Sequence, residues 1–147
     1  MNYHFKVHKE GKGFWAQCIE LEGCFTQADN LKKLKVNMQE ALNLYLSESA
    51  GSHDLASLSD NSIKLKKNIV KVSVDPQVAF AFLVRYYRIK YGMTQKEAAR
   101  KLGFENIYSY QRLEARRCNP RLETIASLKK LFPELSLDDI LYSGSPK

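Results

Sequence analysis

The sequence is poor in cysteine and histidine, which excludes the protein classes built on them. Its three cysteines, Cys18, Cys24 and Cys118, contain no C-x-x-C pair, so neither a disulfide scaffold nor a zinc site is indicated. We expect reduced thiols packed as small hydrophobic side chains. His4 and His8 share one face of a predicted strand, but at about 3.3 Å per residue they lie about 13 Å apart, too far for one metal ion. No metal or cofactor is expected.

Long hydrophobic runs are also missing. The sequence contains no stretch of apolar residues long enough to span a bilayer, no secretory signal peptide and no lipidation motif. These absences favour a soluble, cytoplasmic protein that does not bind a membrane.

Charge is present but unevenly distributed. Residues 1–60 carry six Lys/Arg and eight Asp/Glu, a net charge of −2, whereas residues 61–147 carry 17 and eight, a net charge of +9. Such asymmetry indicates two domains and places a polyanionic partner on the C-terminal half. We therefore predict an α+β protein with domains at 1–75 and 76–147.

The first predicted domain has the element order β-β-β-α-β. Alternation of apolar and polar residues predicts strands at 3–8, 14–19, 24–28 and 68–74. A helix capped by Asp29 or Asn30 follows the third strand and has apolar residues at three- and four-residue intervals up to Tyr45. Residues 47–62 are rich in Ser, Asp and Gly, and we expect a mobile loop there.

The second predicted domain contains only helices. Asp75 and Pro76 start the first of them and Gly92 ends it; its predicted inner face consists of Val78, Ala79, Phe82, Leu83, Tyr86 and Ile89. Thr94 and Glu97 form a capping box for the next, which Gly103 ends. A further helix begins near residue 106, with the predicted inner residues Ile107, Tyr110 and Leu113. Periodic leucines predict another helix at 122–131 that Pro133 ends, Ser136 caps a last one at 137–141, and we expect a frayed tail at 143–147.

The segment from Thr94 to Glu114 resembles the phage-repressor-like helix-turn-helix. Gln95, Ala99 and Gly103 stand four residues apart, as they do in these DNA readers. One feature departs from the family spacing: the best core candidate of the second helix is Tyr110, one residue later than usual. An extra residue in the turn explains this.

The resemblance implies a DNA-binding surface on and around the second helix. The first helix would hold phosphates, the second would face bases or flanking phosphates, and the basic loop after it would grip the backbone. The predicted DNA-binding residues are Gln95, Lys96, Asn106, Tyr108, Ser109, Gln111, Arg112, Arg116, Arg117 and Asn119.

The N-terminal part carries a second resemblance. A Gly-Phe-Trp strand at 13–15, the element ELEGCFTQAD at 20–29 and the helix residues EAL at 40–42 with Tyr45 and Leu46 resemble the HicB family of antitoxins. That family often appends a helix-turn-helix with a second helix like the residues 108–114 seen here. The resemblance implies a partial ribonuclease-H-like fold, a small basic HicA-type toxin as partner, and repression of the protein's own operon as a homodimer or homotetramer.

An acidic surface on the N-terminal domain suits a basic partner, because complementary charge speeds and orients docking. The predicted toxin-binding residues are Phe14, Trp15, Glu20, Glu22 and Asp29.

Two alternatives remain open. A ribonuclease-H-like domain could cut nucleic acid if carboxylates held two metal ions about 3.5–4 Å apart, but the clustered acids Glu20, Glu22 and Asp29 belong to a turn, so we expect no catalytic residues and no enzyme. The chain could also be a stand-alone repressor whose N-terminal domain dimerises or senses a ligand.

Overall fold

The structure is a computed structural model that describes residues 1–48 and 55–141. It is an α+β fold in which a four-stranded antiparallel sheet precedes most of the helices. The strands are β1 (Asn2–Glu10), β2 (Gly13–Cys18), β3 (Phe25–Ala28) and β4 (Ile69–Ser73). The helices are α1 (Leu31–Ser47), α2 (Pro76–Lys90), α3 (Gln95–Lys101), α4 (Ile107–Gln111), α5 (Leu122–Leu131) and α6 (Leu137–Leu141), with a 3-10 turn at Arg112–Glu114 after α4.

The sheet has the strand order β3-β2-β1-β4, with every neighbouring pair antiparallel. The predicted return of the fourth strand to the sheet is confirmed, beside β1. The inner alternate residues of β1, among them Tyr3 and Phe5, are fully buried beneath α1. Asn30 caps α1 by accepting a 2.9 Å hydrogen bond from the Lys33 N–H, as the sequence predicts.

Most predicted elements are confirmed in type and position. Residues 55–60 of the predicted loop form neither helix nor strand, while its residues 49–54 and the predicted tail lie outside the described residues.

One predicted helix cap, that of α2, differs from expectation. Asp75 occupies the N-cap position of α2, but its side chain makes no capping hydrogen bond; it accepts instead from Gln39 of α1 at 3.3 Å. The reason is that α1 runs close enough to compete for this carboxylate.

Helix α2 is the central element of the structure. The sequence predicts one inner face ending in Tyr86 and Ile89, yet Phe80, Ala81, Val84 and Tyr87 are buried as well. Residues 78–84 are apolar and buried on every side of the helix, as happens where other elements surround it. Here α1 packs on one side, and α6 and the 3-10 turn pack on others. One continuous hydrophobic cluster therefore runs from the sheet into the C-terminal helices.

Polar contacts reinforce this junction. Arg85 Nη2 of α2 donates a 2.7 Å hydrogen bond to the Leu46 carbonyl of α1, and burial lowers the pKa of its guanidinium. The amino group of Met1 donates to the Asp139 carbonyl in α6. Both ends of the described chain thus pack together around α2.

Candidate nucleic-acid interface

Helix α3 begins at the predicted capping box. The Glu97 N–H donates to Thr94 Oγ1 at 3.1 Å, and the Thr94 N–H donates to Glu97 Oε2 at 2.9 Å. Two backbone donors at the helix start are thereby satisfied. Ala98 and Ala99 are buried on the inner side of the helix, and their small side chains allow α4 to approach closely.

The turn between α3 and α4 depends on Gly103. Its φ of +76° lies in the left-handed region, which glycine adopts without steric cost. The Phe104 N–H then donates to the Ala99 carbonyl at 2.9 Å and closes the end of α3. Asn106 starts α4, because its Oδ1 accepts from the Ser109 N–H at 3.0 Å and from the Ser109 hydroxyl at 3.2 Å. Asn106, a predicted DNA-binding residue, is thus also the N-cap of α4, and the predicted DNA-binding residue Ser109 is hydrogen-bonded to it.

The inner side of α4 contains Tyr110, which is fully buried, as the sequence predicts. Leu113 is buried in the following 3-10 turn and Ile107 is half-buried. Helix α4 itself spans only five residues, so Arg112 lies in the 3-10 turn and not in a continuous recognition helix.

Glu114 holds this unit against α2. Its carboxylate is 5% exposed and receives two hydrogen bonds from Arg88, at 2.5 Å from Nε and 3.3 Å from Nη2. Gln95 Nε2 donates to it at 2.9 Å, and the Tyr110 hydroxyl donates at 2.8 Å. Burial, together with the charge of Glu114, raises the pKa of Tyr110. One carboxylate therefore connects α2, α3 and α4.

Gln95 extends the network outward, because its Oε1 accepts a 3.1 Å hydrogen bond from Gln111 Nε2. The structure thus brings together two predicted DNA-binding residues that are 16 positions apart. Arg88 and Glu114 were missed by sequence reasoning. They are 26 positions apart, and no local pattern signals their pairing.

The outer surface of this unit is polar and basic. Tyr108 is 72% exposed, and Asn106 at the start of α4 is exposed as well. The predicted residues Lys96, Gln111, Arg112, Arg116, Arg117 and Asn119 are all exposed, whereas Gln95 and Ser109 are half-buried. This surface can donate hydrogen bonds to acceptors of a ligand at several positions.

The predicted toxin-binding residues lie in different environments. Glu22 and Asp29 are exposed, and Phe14 and Trp15 are half-buried. Glu20 faces inward with a side chain that is 4% exposed. After β2 ends at Cys18, the chain turns so that Glu20 accepts from the His4 N–H at 2.9 Å and lies 2.7 Å from His4 Nδ1. The Glu20 carboxylate thus accepts the hydrogen bond of the His4 N–H that a carbonyl of a neighbouring strand would otherwise accept.

Two findings bear on other site types. Within residues 1–48 and 55–141, no group of three or more His, Cys, Asp or Glu side chains is placed to hold a metal ion. Over the same residues, no helix has the length and apolar character needed to cross a membrane.

Comparison of the chain with protein-family models gives no match, and comparison with curated proteins also gives none.

Proposed function

We propose that the protein is a DNA-binding transcriptional regulator that presents α4 to the major groove. The observation that supports this most directly is the division of the α3–turn–α4 unit into two sides. Its inner side is fixed to α2 through Glu114, while Tyr108, Gln111 and Arg112 project from the outer side. A rigid inner side and a polar outer side are what base readout requires.

The surrounding charges suit a phosphate backbone. Lys96 is exposed at the start of α3, and Arg116 and Arg117 are exposed in the loop after the 3-10 turn. They flank α4 along the chain, so they can contact backbone on either side of the groove. In this proposal two copies bind successive major-groove faces about 34 Å apart on an inverted repeat.

Gel-shift titration against the promoter of the protein's own gene tests this proposal. Arg112→Ala and Gln111→Ala should each weaken binding, and loss of a bidentate base contact should reduce sequence discrimination by about 1–3 kcal/mol. Lys35→Ala is the control, since Lys35 is exposed on α1. Unchanged binding by the double variant at Gln111 and Arg112 would contradict the placement of α4 in the groove.

The HicB resemblance supports a second activity, in which the sheet and α1 hold a small basic toxin and the whole protein acts as an antitoxin. The exposed acids Glu22 and Asp29 suit such a partner, while the buried Glu20 does not offer its charge. The function proposed is therefore an antitoxin that also represses its operon.

Co-purification tests the antitoxin activity. Intact mass spectrometry of the protein isolated from its native cells should show a small basic companion in stoichiometric amount. Glu22→Lys combined with Asp29→Lys should reduce its recovery, whereas Glu123→Lys at an exposed position of α5 should not. No companion, together with retained operator binding, would favour the stand-alone repressor.

A further inference from the structure

Among the described residues 1–48 and 55–141, no helix packs on one face of the sheet along most of its length. Helix α1 covers the face formed by Tyr3, Phe5 and Ala16. Because strand side chains alternate, the strand register places the neighbouring residues on the other face. We call this the open face and define it by Lys6, His8, Trp15, Gln17, Phe25 and Lys71.

Three aromatic rings lie on the open face, those of Phe25, which is exposed, and of His8 and Trp15, which are half-buried. His8 and Trp15 are cross-strand partners whose rings stack with centroids 4.1 Å apart and planes 15° apart. Phe25 is 69% exposed, and its partner on β2 is Gln17. Diagonal neighbours on a sheet are about 7–8 Å apart, which puts Phe25 within reach of Trp15. The face thus offers two adjacent stacking positions.

The same face is basic. Lys6 and Lys71 are exposed on it, and across residues 1–48 and 55–141 neither forms an ion pair. The segment 61–74 contains four lysines and no acid. The Val7 N–H donates to the Asn68 carbonyl at 2.8 Å, which holds this lysine-rich segment beside Lys6 and His8.

One exposed acid, Glu10, shares this face at the end of β1, because it alternates with Lys6 and His8. Glu20, close to the covered end of the face, points inward to His4. Asp60 lies at that same end, where its N–H is 3.4 Å from Glu20 Oε1. Within residues 1–48 and 55–141, the exposed charged residues that the strand register places on this face are therefore Lys6, Lys71 and Glu10, and the lysines of 61–74 adjoin it.

We propose that the open face binds single-stranded nucleic acid. Unstacked bases lie on Phe25 and on the His8–Trp15 pair, and Lys6, Lys71 and the lysines of 61–74 hold the phosphates. Aromatic platforms bordered by cations are suited to single strands, since the bases of a duplex are already stacked on one another. This site is separate from α4 and uses different residues.

Trp15 makes the proposal directly measurable, because it is the only tryptophan in the chain. Full-length protein is titrated with an oligouridine of about ten nucleotides, a length within the usual site size for such platforms. Stacking should quench the Trp15 fluorescence in a saturable manner, and added salt should weaken binding. Phe25→Ala and the double variant Lys6→Gln with Lys71→Gln should each weaken binding about tenfold.

Matched variants separate this site from the α4 surface. Tyr108→Ala removes an equally exposed aromatic ring from α4, and Lys35→Gln removes a lysine from α1; both should bind oligouridine normally. Phe25 and the two lysines are exposed, so their variants should fold, which circular dichroism verifies.

Three results would overturn the proposal. The first is the absence of quenching together with the absence of binding to a labelled oligouridine. The second is equal quenching by oligoglutamate through the same residues, which would make the open face a protein-docking surface. The third is loss of oligouridine binding in Arg112→Ala, which would place the single strand on α4.

Discussion

Two buried carboxylates, Glu114 in the helical part and Glu20 beside the sheet, show how similar groups serve different purposes. Glu114 is bound by Arg88, Gln95 and Tyr110, so one side chain fixes three helices. Because a guanidinium is always charged, this carboxylate has a permanent counter-charge.

Glu20 has no arginine or lysine partner within the described residues. It accepts from the His4 backbone, faces His4 Nδ1, and receives a 3.5 Å contact from the Cys18 thiol. An imidazole supplies positive charge only when it is protonated. His4 Nε2 has no partner within the described residues. Glu114 therefore organises tertiary structure, whereas Glu20 completes the end of a strand.

The largest effect should follow from removing the counter-charge of Glu114. Arg88→Met should lower the free energy of unfolding by about 3–5 kcal/mol, because it leaves a carboxylate buried without its cation. Urea denaturation measures this change.

The matched control is the surface pair Lys90–Glu134, in which both side chains are about half exposed and 2.7 Å apart. Lys90→Met should leave the urea midpoint close to that of the wild type. Equal loss of stability in both variants would remove the distinction between the buried and the exposed pair.

A buried tyrosine beside each carboxylate should make the protein sensitive to alkali. Burial raises the pKa of Tyr3 and of Tyr110 above the ordinary value of 10.0, and the nearby Glu20 and Glu114 raise them further. The folded state holds these protons more tightly than the unfolded chain does. Stability is therefore full below pH 10.0 and falls above it, by about 1.4 kcal/mol per pH unit for each tyrosine.

Urea denaturation between about pH 9 and pH 11 measures this slope. The Tyr110→Phe variant has no hydroxyl to ionise at this position. Its free energy of unfolding should therefore fall less steeply with pH than that of the wild type. An identical slope in wild type and variant would show that the helical carboxylate site does not contribute.

The smallest effect concerns Glu20. Glu20→Gln replaces one carboxylate oxygen with an amide nitrogen, which cannot accept from the His4 N–H and the Cys18 thiol at one oxygen or from the Asp60 N–H at the other, so about 1–3 kcal/mol of stability should be lost through unsatisfied polar groups. Glu22→Gln, two positions along and exposed, should change stability by less than about 0.5 kcal/mol. If both variants were equally stable, the buried contacts of Glu20 would contribute no more to stability than an exposed acid does.

Local patterns predicted the elements well, since their causes lie within a few residues. Three local features illustrate this, since each depends on residues close by in the sequence. They are the capping box of Thr94 and Glu97, the N-cap Asn30 and the positive φ of Gly103. Ser136 likewise caps α6, with its hydroxyl accepting from the Asp139 N–H at 3.2 Å. The predicted inner face of α2 is buried at Val78, Ala79, Phe82 and Leu83, but the burial of Phe80, Ala81, Val84 and Tyr87 was missed, because it depends on elements packed from elsewhere in the chain.

The candidate sites were predictable only in part. Exposure of Tyr108, Gln111 and Arg112 follows from the position of Tyr110 on the opposite side of α4, which the sequence indicates. The inward turn of Glu20 could not be predicted, because its partner His4 is 16 positions away.

The sequence by itself determined the strands, the helix boundaries and the polar character of the α4 surface, because hydrophobic period and capping are local properties. Only the tertiary structure decided that Arg88 meets Glu114, that α2 is surrounded, and that His8, Trp15 and Phe25 share an uncovered sheet face. These outcomes depend on which distant elements pack together, and burial and pairing across such distances are fixed by the whole fold.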